Sequence, residues 1–551
     1  MVFKVEDAYE DVQPGQLVQY EEKDRNSPSW RVTWNEAKLL LIASTGFFID
    51  AYDLFSINLV IPILNYRYNH KLSGTIPNIV LDGGVLKAAA NLGCVPGQIG
   101  FGLLGDVFGR KFVYGKELII LMIGTILVVA TPNFSSATSV FTWITIWRVV
   151  MGIGIGGDYP MSAAVVSDRA NLRRRGVMLS FIFSMQGWGN FAAGIVSIVV
   201  LAIFKPAIQG RGEYGQFNAV WRIIVGLVLV PCLGTLYQRL TLAESAKWKN
   251  AQALREDPSL LKRREEEKII APKTNDTETG LGTKGAVAAK SEAWKEFIVY
   301  FSEWRHLKTL IGTTATWFLV DITFYGINLN QSIVITAIGL NKSKEPWQFL
   351  YDNTKANLII TAAGFLPGYY ATMLLIEKLG RKNIQFFGFL LEALFLGIVA
   401  GDFHALKSKP AAFVVCFAFL QFFFNFGANA TTFIIPAEVY PTRVRGFAHG
   451  LSAGCGKLGA VLSSLGFATW AAKIGTDKVL WIFFGISILG AIATLILPET
   501  TGRDADMIDL QERQEAAGYL NYGIPTAAND AASSADSEKE KADNHVAPVA
   551  A

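Results

Sequence analysis

The sequence predicts an all-α polytopic membrane protein with twelve transmembrane helices in two six-helix halves. Three observations carry that expectation. Of 551 residues only 17% are charged, 51% are hydrophobic and the mean hydropathy is +0.32, whereas soluble domains carry about a quarter charged residues. The missing charge is missing in blocks, since Ile119–Val129, Gly187–Phe204 and Trp481–Leu497 contain none. Finally, a charged turn after the second span of one half recurs after the second span of the other. Fifty basic against 46 acidic residues give a net charge of +4, too balanced for a nucleic-acid surface. Cys94, Cys232, Cys416 and Cys455 lie scattered in apolar segments without a C-x-x-C pair, which points to packing and not to a metal or redox site.

A helix crossing the bilayer needs about 20 mostly apolar residues. Runs of that kind fall at 37–64, 84–105, 113–131, 140–166, 177–203 and 218–240, then at 308–338, 355–377, 384–401, 411–436, 447–471 and 478–498. The short connections holding Arg110, Lys111 and Lys116, then Arg169 and Arg173 to Arg175, then Lys378, Arg381 and Lys382, are basic, while 131–139 on the opposite side has no basic residue. The positive-inside rule puts the basic loops, the central loop and both tails in the cytosol. The chain divides into a cytosolic tail (1–36), a six-helix half (37–240), a cytosolic central loop (241–307), a second six-helix half (308–498) and a cytosolic tail (499–551) that is mostly disordered. The central loop reads as a short amphipathic helix followed by flexible linker around the charge run Lys262–Lys268. No cleavable signal peptide is visible. Asn133 and Asn341 match glycosylation acceptors on the outer side, but both loops lie too close to the membrane to be used.

Gly105-Asp106-Val107-Phe108-Gly109-Arg110-Lys111 recurs as Ile376-Glu377-Lys378-Leu379-Gly380-Arg381-Lys382, and Asp168 with Arg173-x-Arg175-Gly176 recurs as Glu438 with Arg443-x-Arg445-Gly446, at offsets of 271 and 270 residues. In-phase repeats on one side of the membrane imply halves related by an axis along the normal. The carboxylate at Asp106 is expected to meet a neighbouring helix N-terminus or a basic side chain and to release it when the halves rock, with Arg110, Glu377 and Arg381 as gating partners. The string Gly102-x-x-Gly105-Asp106-x-x-Gly109-Arg110-Lys111 resembles the loop motif of the major facilitator superfamily. Arg148-x-x-x-Gly152-x-Gly154-x-Gly156, Glu244-Ser-Ala-Lys-Trp248 and Pro498-Glu-Thr-Thr-Gly502 are similar to it too, and together they cover nearly the whole chain.

Charge inside a span costs at least about 2.5–3.5 kcal/mol on insertion scales, so each instance asks for a reason. Asp50 and Asp53 share one face of span 1; Glu117 opens span 3; Arg148 and Asp158 lie in span 4, Asp321 in span 7, Glu392 in span 9 and Lys457 in span 11. Six charged spans imply an aqueous central cavity. Trp317, Asp321 and Tyr325 at i, i+4 and i+8 stack an indole, a carboxylate and a phenol on one helix face; Gln186, Asn425 and Asn429 add neutral donors and Lys457 a cation, a set suited to a tetrahedral oxyanion. Asp158, between two glycines and Pro160, suits a proton carrier, since about 15 Å along the helix separates it from Arg148. Arg148 reads as a fixed partner for Asp50, Asp53 or Glu117, and Asp53 as structural. Glu392 reads as an ion-pair partner or a surface carboxylate near a span end and is left out of the site.

Gly156-Gly-Asp-Tyr-Pro-Met-Ser162, Gly46-Phe-Phe-Ile-Asp-Ala-Tyr-Asp-Leu-Phe55, Trp317-Phe-Leu-Val-Asp-Ile-Thr-Phe-Tyr-Gly326, Phe424-Asn-Phe-Gly-Ala-Asn-Ala-Thr-Thr-Phe433 and Gly456-Lys-Leu-Gly-Ala460 resemble the phosphate:H+ symporter family within that superfamily. The resemblance implies uptake of inorganic phosphate with protons. It assigns phosphate to Tyr159, Gln186, Trp317, Asp321, Tyr325, Asn429 and Lys457, and the proton route to Asp50, Glu117 and Asp158. Two positions depart from the pattern: Met161 replaces a leucine and Ala428 a proline, which changes the bend expected in span 10. Some relatives carry glycerophosphodiesters, and a phosphate-sensing receptor of the same fold is a second alternative. His70, His306, His404 and His449 lie near span ends or loops and His545 in the tail, so no nucleophile or metal constellation points to an enzyme. The expected partners are phosphate, protons as the coupling ion and membrane lipids, with no cofactor, metal, nucleic acid or obligate protein partner. The plasma membrane is the expected location.

Overall fold

The computed structural model of the protein describes residues 34–70, 83–256, 294–341 and 343–516. The N-terminal tail up to residue 33, the linker at Lys262–Lys268 and the chain beyond 516, with His545, lie outside the described residues. The described residues are helical and contain no strand. The bilayer-length helices are α1 (Trp34–Asn69), α2 (Gly84–Phe108), α3 (Lys116–Val129), α4 (Ala137–Arg169) and α5 (Arg175–Lys205), then α6 in two pieces (Phe217–Gly226 and Leu229–Leu240). The second half comprises α7 (Trp304–Asn328), α8 in two pieces (Pro346–Ile360 and Leu366–Leu379), α9 (Arg381–Gly401), α10 in two pieces (Pro410–Asn425 and Ala428–Val439), α11 (Thr442–Ile474) and α12 (Thr476–Thr494). Only closed backbone hydrogen bonding is tolerated in lipid, and uninterrupted apolar runs supply it as helix. Eleven of these helices are long and apolar enough to cross a membrane; α2 is the glycine-rich exception, packed along α4 and α11. Several predicted ends move: span 1 runs on to Asn69, span 7 stops at Asn328 and a separate short helix, Gln331–Ile338, follows it, and two starts lie further out. Span 8 begins at Pro346, where Glu345 caps the helix by accepting from Trp347 N and Gln348 N, and span 11 begins at Thr442.

The glycine repeat of span 4 has a packing cause. A Cβ on Gly152 would lie 2.1 Å from the Ala90 carbonyl oxygen and one on Gly156 2.4 Å from that of Cys94, so both let α4 press on α2, while Gly154 faces α3 across 2.5 Å to the Glu117 carbonyl. Close approach of this kind needs the smallest residue.

The face bearing the helices Ala246–Glu256 and Ala505–Ala516 is here named inner. There the two repeated motifs cross-brace the halves. Asp106 accepts from Gly446 N at 3.1 Å and Phe447 N at 2.8 Å in α11, and Glu377 accepts from Val177 N at 3.2 Å in the first turn of α5. Each half thus puts a carboxylate on a helix of the other. Arg110 pairs with Asp106 at 3.2 Å and Asp168 at 3.3 Å; its counterpart Arg381 pairs with Glu377 at 2.6 Å and Glu438 at 2.8 Å. Asp168 also meets Arg445 across the interface. The motifs after spans 6 and 12 serve the same design. Glu244 accepts from Lys111 N at 3.0 Å, and Glu499 from Arg381 N and Lys382 N at 2.9 and 3.0 Å. At the two turns so capped, Gly109 and Gly380 have φ of 92° and 81°, left-handed values that favour glycine.

The outer face is closed as well. Lys87 Nζ donates to Asn330 Oδ1 at 2.9 Å, Ser332 Oγ to Asn58 Oδ1 at 3.1 Å, and Trp347 Nε1 to the Leu201 carbonyl at 2.8 Å. The halves therefore meet on both sides of the centre, an occluded arrangement. Asn341 is buried and bonded to Asn353 at 3.3 Å.

Two sequence expectations need correcting. His449 is not near a helix end: α11 starts at Thr442, which places His449 inside the helix, fully buried between the rings of Trp317 and Phe433. Glu392 is not a surface carboxylate, being fully buried and bonded to Ser487 Oγ at 2.6 Å.

The helix Ala505–Ala516 lies across the start of α11: Asp506 pairs with Arg445 at 3.3 Å, Asp509 with Arg443 at 2.7 Å and Glu512 with Arg305 at 2.8 Å. Burial pushes the Asp506 carboxyl up, but Arg445, Lys247 and the Thr442 amide outweigh it and hold it below the ordinary carboxylate range. A depressed value stabilises the folded state above the unfolded pKa and stops doing so only as pH falls through the folded one. Asp506→Asn should therefore lower the melting temperature in detergent by about 1–3 °C, by the same margin at about pH 5 and about pH 8.

Candidate functional site

Trp317, Asp321 and Tyr325 stand on one face of α7, turned to the interface between the halves, and all three are buried. Lys457 on α11 donates from Nζ to Asp321 Oδ2 at 2.8 Å and to the Tyr325 hydroxyl at 3.0 Å. Its ammonium also lies 4.3 Å from the Tyr325 ring centroid and 5.1 Å from that of Tyr159 on α4. Gly456 makes room for this: a Cβ there would sit 2.6 Å from the Trp317 indole and 3.2 Å from Asp321 Oδ2. From the opposite wall, Gln186 on α5 donates to the Tyr159 hydroxyl at 3.3 Å. Asn429 on α10 donates to Gln186 Oε1 at 3.1 Å and to Asn425 Oδ1 at 2.8 Å. The structure thus brings all seven residues named for the substrate into one buried assembly. Stacked Phe183 and Phe433, with centroids 4.7 Å apart, form a dry wall beside it.

Sequence reasoning missed Tyr369. Its hydroxyl, on α8, donates to Gln186 Oε1 at 2.5 Å and accepts from Asn429 Nδ2 at 2.8 Å, which joins the two halves through one phenol. The available signal was a tyrosine after Gly368 in an apolar span, a pattern that packing also produces.

The three residues that the resemblance assigns to a proton route also converge, around a second missed residue. Arg239, in the last turn of α6, is 1% exposed. Its guanidinium bonds Asp158 through both oxygens at 3.0 Å each and Glu117 Oε1 at 3.0 Å, and it lies 4.7 Å from the Tyr114 ring. Asp158, read from sequence as a proton carrier out of reach of Arg148, is indeed not paired with Arg148 but is an ion-pair partner of Arg239. An arginine at a span end passes for ordinary positive-inside charge, which is why Arg239 escaped notice. Asp50 is buried beside this pair, and its Oδ2 has no hydrogen-bond partner among the described residues. Gly46, one turn earlier on α1, lets the helix lie against the pair, since a Cβ there would be 1.6 Å from the Arg239 guanidinium.

Asp53 takes a separate place. It accepts from Thr125 Oγ1 at 3.4 Å, and Arg148 reaches only its backbone carbonyl, at 3.5 Å. Among the described residues Arg148 bonds no carboxylate of Asp50, Asp53 or Glu117, which corrects its expected role as their direct partner; it remains a buried charge facing Asp53. No group of three His, Cys, Asp or Glu among the described residues is placed to hold a metal ion.

A bundle of this topology, closed at both faces around a polar centre, defines a membrane transporter of the major facilitator fold. The solved structure of the proton:xylose symporter XylE bound to 6-bromo-6-deoxy-D-glucose superposes with a TM-score of 0.65 at 18% identity, over 87% of this chain and 98% of that one. The partially occluded inward-open form of XylE from E. coli gives 0.61 at 19% identity, over 85% and 99%. Residues 39–511 match the family model described as sugar (and other) transporter, and the chain belongs to that family. A relative in Schizosaccharomyces pombe is 42% identical, over 91% of this chain and 92% of its own. Inorganic phosphate transporter PHO84 of Saccharomyces cerevisiae is 35% identical over 86% and 84%, and the repressible high-affinity phosphate permease of Neurospora crassa 34% identical over 88% of each. The family is one of transporters and not of enzymes.

Tyr369→Phe deletes the phenol that ties Gln186 to Asn429. Both of its hydrogen bonds are lost, and a net cost to binding of about 0.5–1.5 kcal/mol should raise the KM of the transported anion about twofold to tenfold. Uptake kinetics in vesicles check it.

Proposed function

We propose that the protein imports inorganic phosphate together with protons by alternating access. The observation that carries this reading is the Lys457–Asp321–Tyr325 cluster, one buried cation beside Tyr159 and linked through that phenol to the neutral donors Gln186, Tyr369 and Asn429 where the two halves meet. A tetrahedral oxyanion has acceptors in every direction and takes several such donors at once. The names of the yeast and Neurospora relatives support the same substrate.

Coupling follows from charge. Moving an anion into a negative interior costs about 2.3 kcal/mol per charge per 100 mV, so at least one proton per negative charge must travel with it. The buried carboxylates Asp50, Glu117 and Asp158 support that role, and protons are then the coupling ion with no cofactor. The carboxylate caps of the inner face and the asparagine–serine contacts of the outer face are the bonds that break in turn. The inner face, with its basic loops, lies in the cytosol with both chain ends, and the plasma membrane is the site of action.

The direct test is phosphate uptake by proteoliposomes under an imposed pH gradient, with glycerophosphocholine as competitor. Uphill accumulation that collapses with the gradient and is hardly inhibited by the diester is expected. Accumulation indifferent to the gradient contradicts the coupling, and strong inhibition by the diester with little by phosphate reassigns the substrate.

A further inference from the structure

The proton compartment holds more acid than base. Asp50 on α1, Glu117 on α3 and Asp158 on α4 face one cation, Arg239 on α6. The other polar groups on the cluster are the Tyr114 phenol and Ser162, and Asp53 lies one turn further along α1. These groups are ordered across the membrane. Asp53, beside Thr125 and Arg148, is nearest the outer side. Asp50 comes next, about 4.5 Å inward along α1. The pair of Asp158 and Arg239, with Glu117 in the first turn of α3, stands at the inner end. The partners differ as well. Asp158 and Glu117 are bonded to the guanidinium at 3.0 Å, whereas Asp50 Oδ2 has no hydrogen-bond partner among the described residues.

We propose that Arg239 is the positioning residue at the inward end of the proton relay, its guanidinium fixing both oxygens of Asp158 as the acceptor for a proton carried on Asp50. This rests on the proton coupling proposed above. In the transfer the O–H bond on Asp50 breaks, one forms on Asp158, and Asp158 lets go of the guanidinium, which keeps Glu117. When the inner face opens, the proton passes from Asp158 to cytosolic water and Arg239 retakes the carboxylate. Re-formation of the pair releases the proton from Asp158 and readies the carboxylate for the next cycle, while the gradient sets the direction of net transfer. Gly46 is part of the device, because any side chain there collides with the pair.

A purely structural arginine would be needed for folding and equally for every mode of transport, whereas a positioning residue separates them. The experiment compares two modes in proteoliposomes holding the purified protein. One is equilibrium exchange of labelled phosphate, in which no net proton need be released; the other is net uptake driven by a pH gradient. Arg239→Gln should reduce net uptake at least about tenfold and exchange no more than about threefold, and Arg239→Lys should recover a large part of net uptake. If Arg239→Gln fails to fold, Arg239→Gln with Glu117→Gln removes the cation together with the carboxylate that takes no proton in the transfer, leaves Asp158 in place, and is read the same way. A wild-type protein that responds to the gradient, alongside a variant whose net uptake and pH profile are unchanged, overturns the role of Arg239 alone. So does equal loss of both modes in folded variants without rescue by lysine. A wild-type protein indifferent to the gradient overturns the coupling itself.

Discussion

The pairing of Lys457 with Asp321, 2.8 Å apart between α11 and α7, is the interaction around which the bundle is organised. An ammonium taken out of water costs several kcal/mol unless an opposite charge and further hydrogen bonds meet it. Asp321 supplies the charge, Tyr325 a hydrogen bond and the Tyr159 and Tyr325 rings the rest. The pair is net neutral, so the closed bundle tolerates it. On the function proposed above, an arriving anion draws Lys457 partly away from its own carboxylate, which ties binding to the two helices that carry the pair. Because Tyr159 and Gln186 belong to the first half and α7 and α11 to the second, that local rearrangement bears on how the halves sit together.

The inner face shows the same economy of charge in a reversible form. Asp106 and Glu377 each reach across the interface to amides of the opposite half, while Arg110 and Arg381 hold those carboxylates and the next acid along. None of these contacts is covalent or deeply apolar. Each can exchange for water when the face opens, so a handful of modest bonds sets the balance between states. The tail helix adds Asp506, Asp509 and Glu512 to the same surface.

Much of this was legible in the residues. Apolar runs marked the spans, because a segment in lipid must satisfy its backbone within itself. The offset of 271 residues between Asp106 and Glu377 exposed the repeat, and the i, i+4, i+8 stripe of α7 exposed one wall of the site. What escaped were groups whose meaning depends on a neighbour remote in sequence. Arg239 sits 81 residues from Asp158 and reads as a loop charge until α6 is laid beside α4. Tyr369 gains its role from Gln186 and Asn429, which come from different halves. Arg148 was expected to hold a carboxylate because it is a buried cation, yet its geometry brings it to a carbonyl of α1. His449 was misplaced for a simpler reason, since the start of α11 drawn from hydropathy falls five residues short of Thr442. Glu392 lies mid-span in either reading, and what escaped was Ser487 of α12 on the face it presents.

On the proposed function, the anion is held by a cation whose own counter-charge is Asp321. Phosphate affinity of the purified protein, measured for Lys457→Ala and for Lys457→Ala with Asp321→Ala, tests it most directly. Alone, the lysine variant leaves a buried carboxylate facing the anion. If the account holds, deleting that carboxylate as well restores at least about tenfold of the lost affinity, the coupling expected of groups in contact. A double variant that binds phosphate no better than Lys457→Ala alone would contradict it.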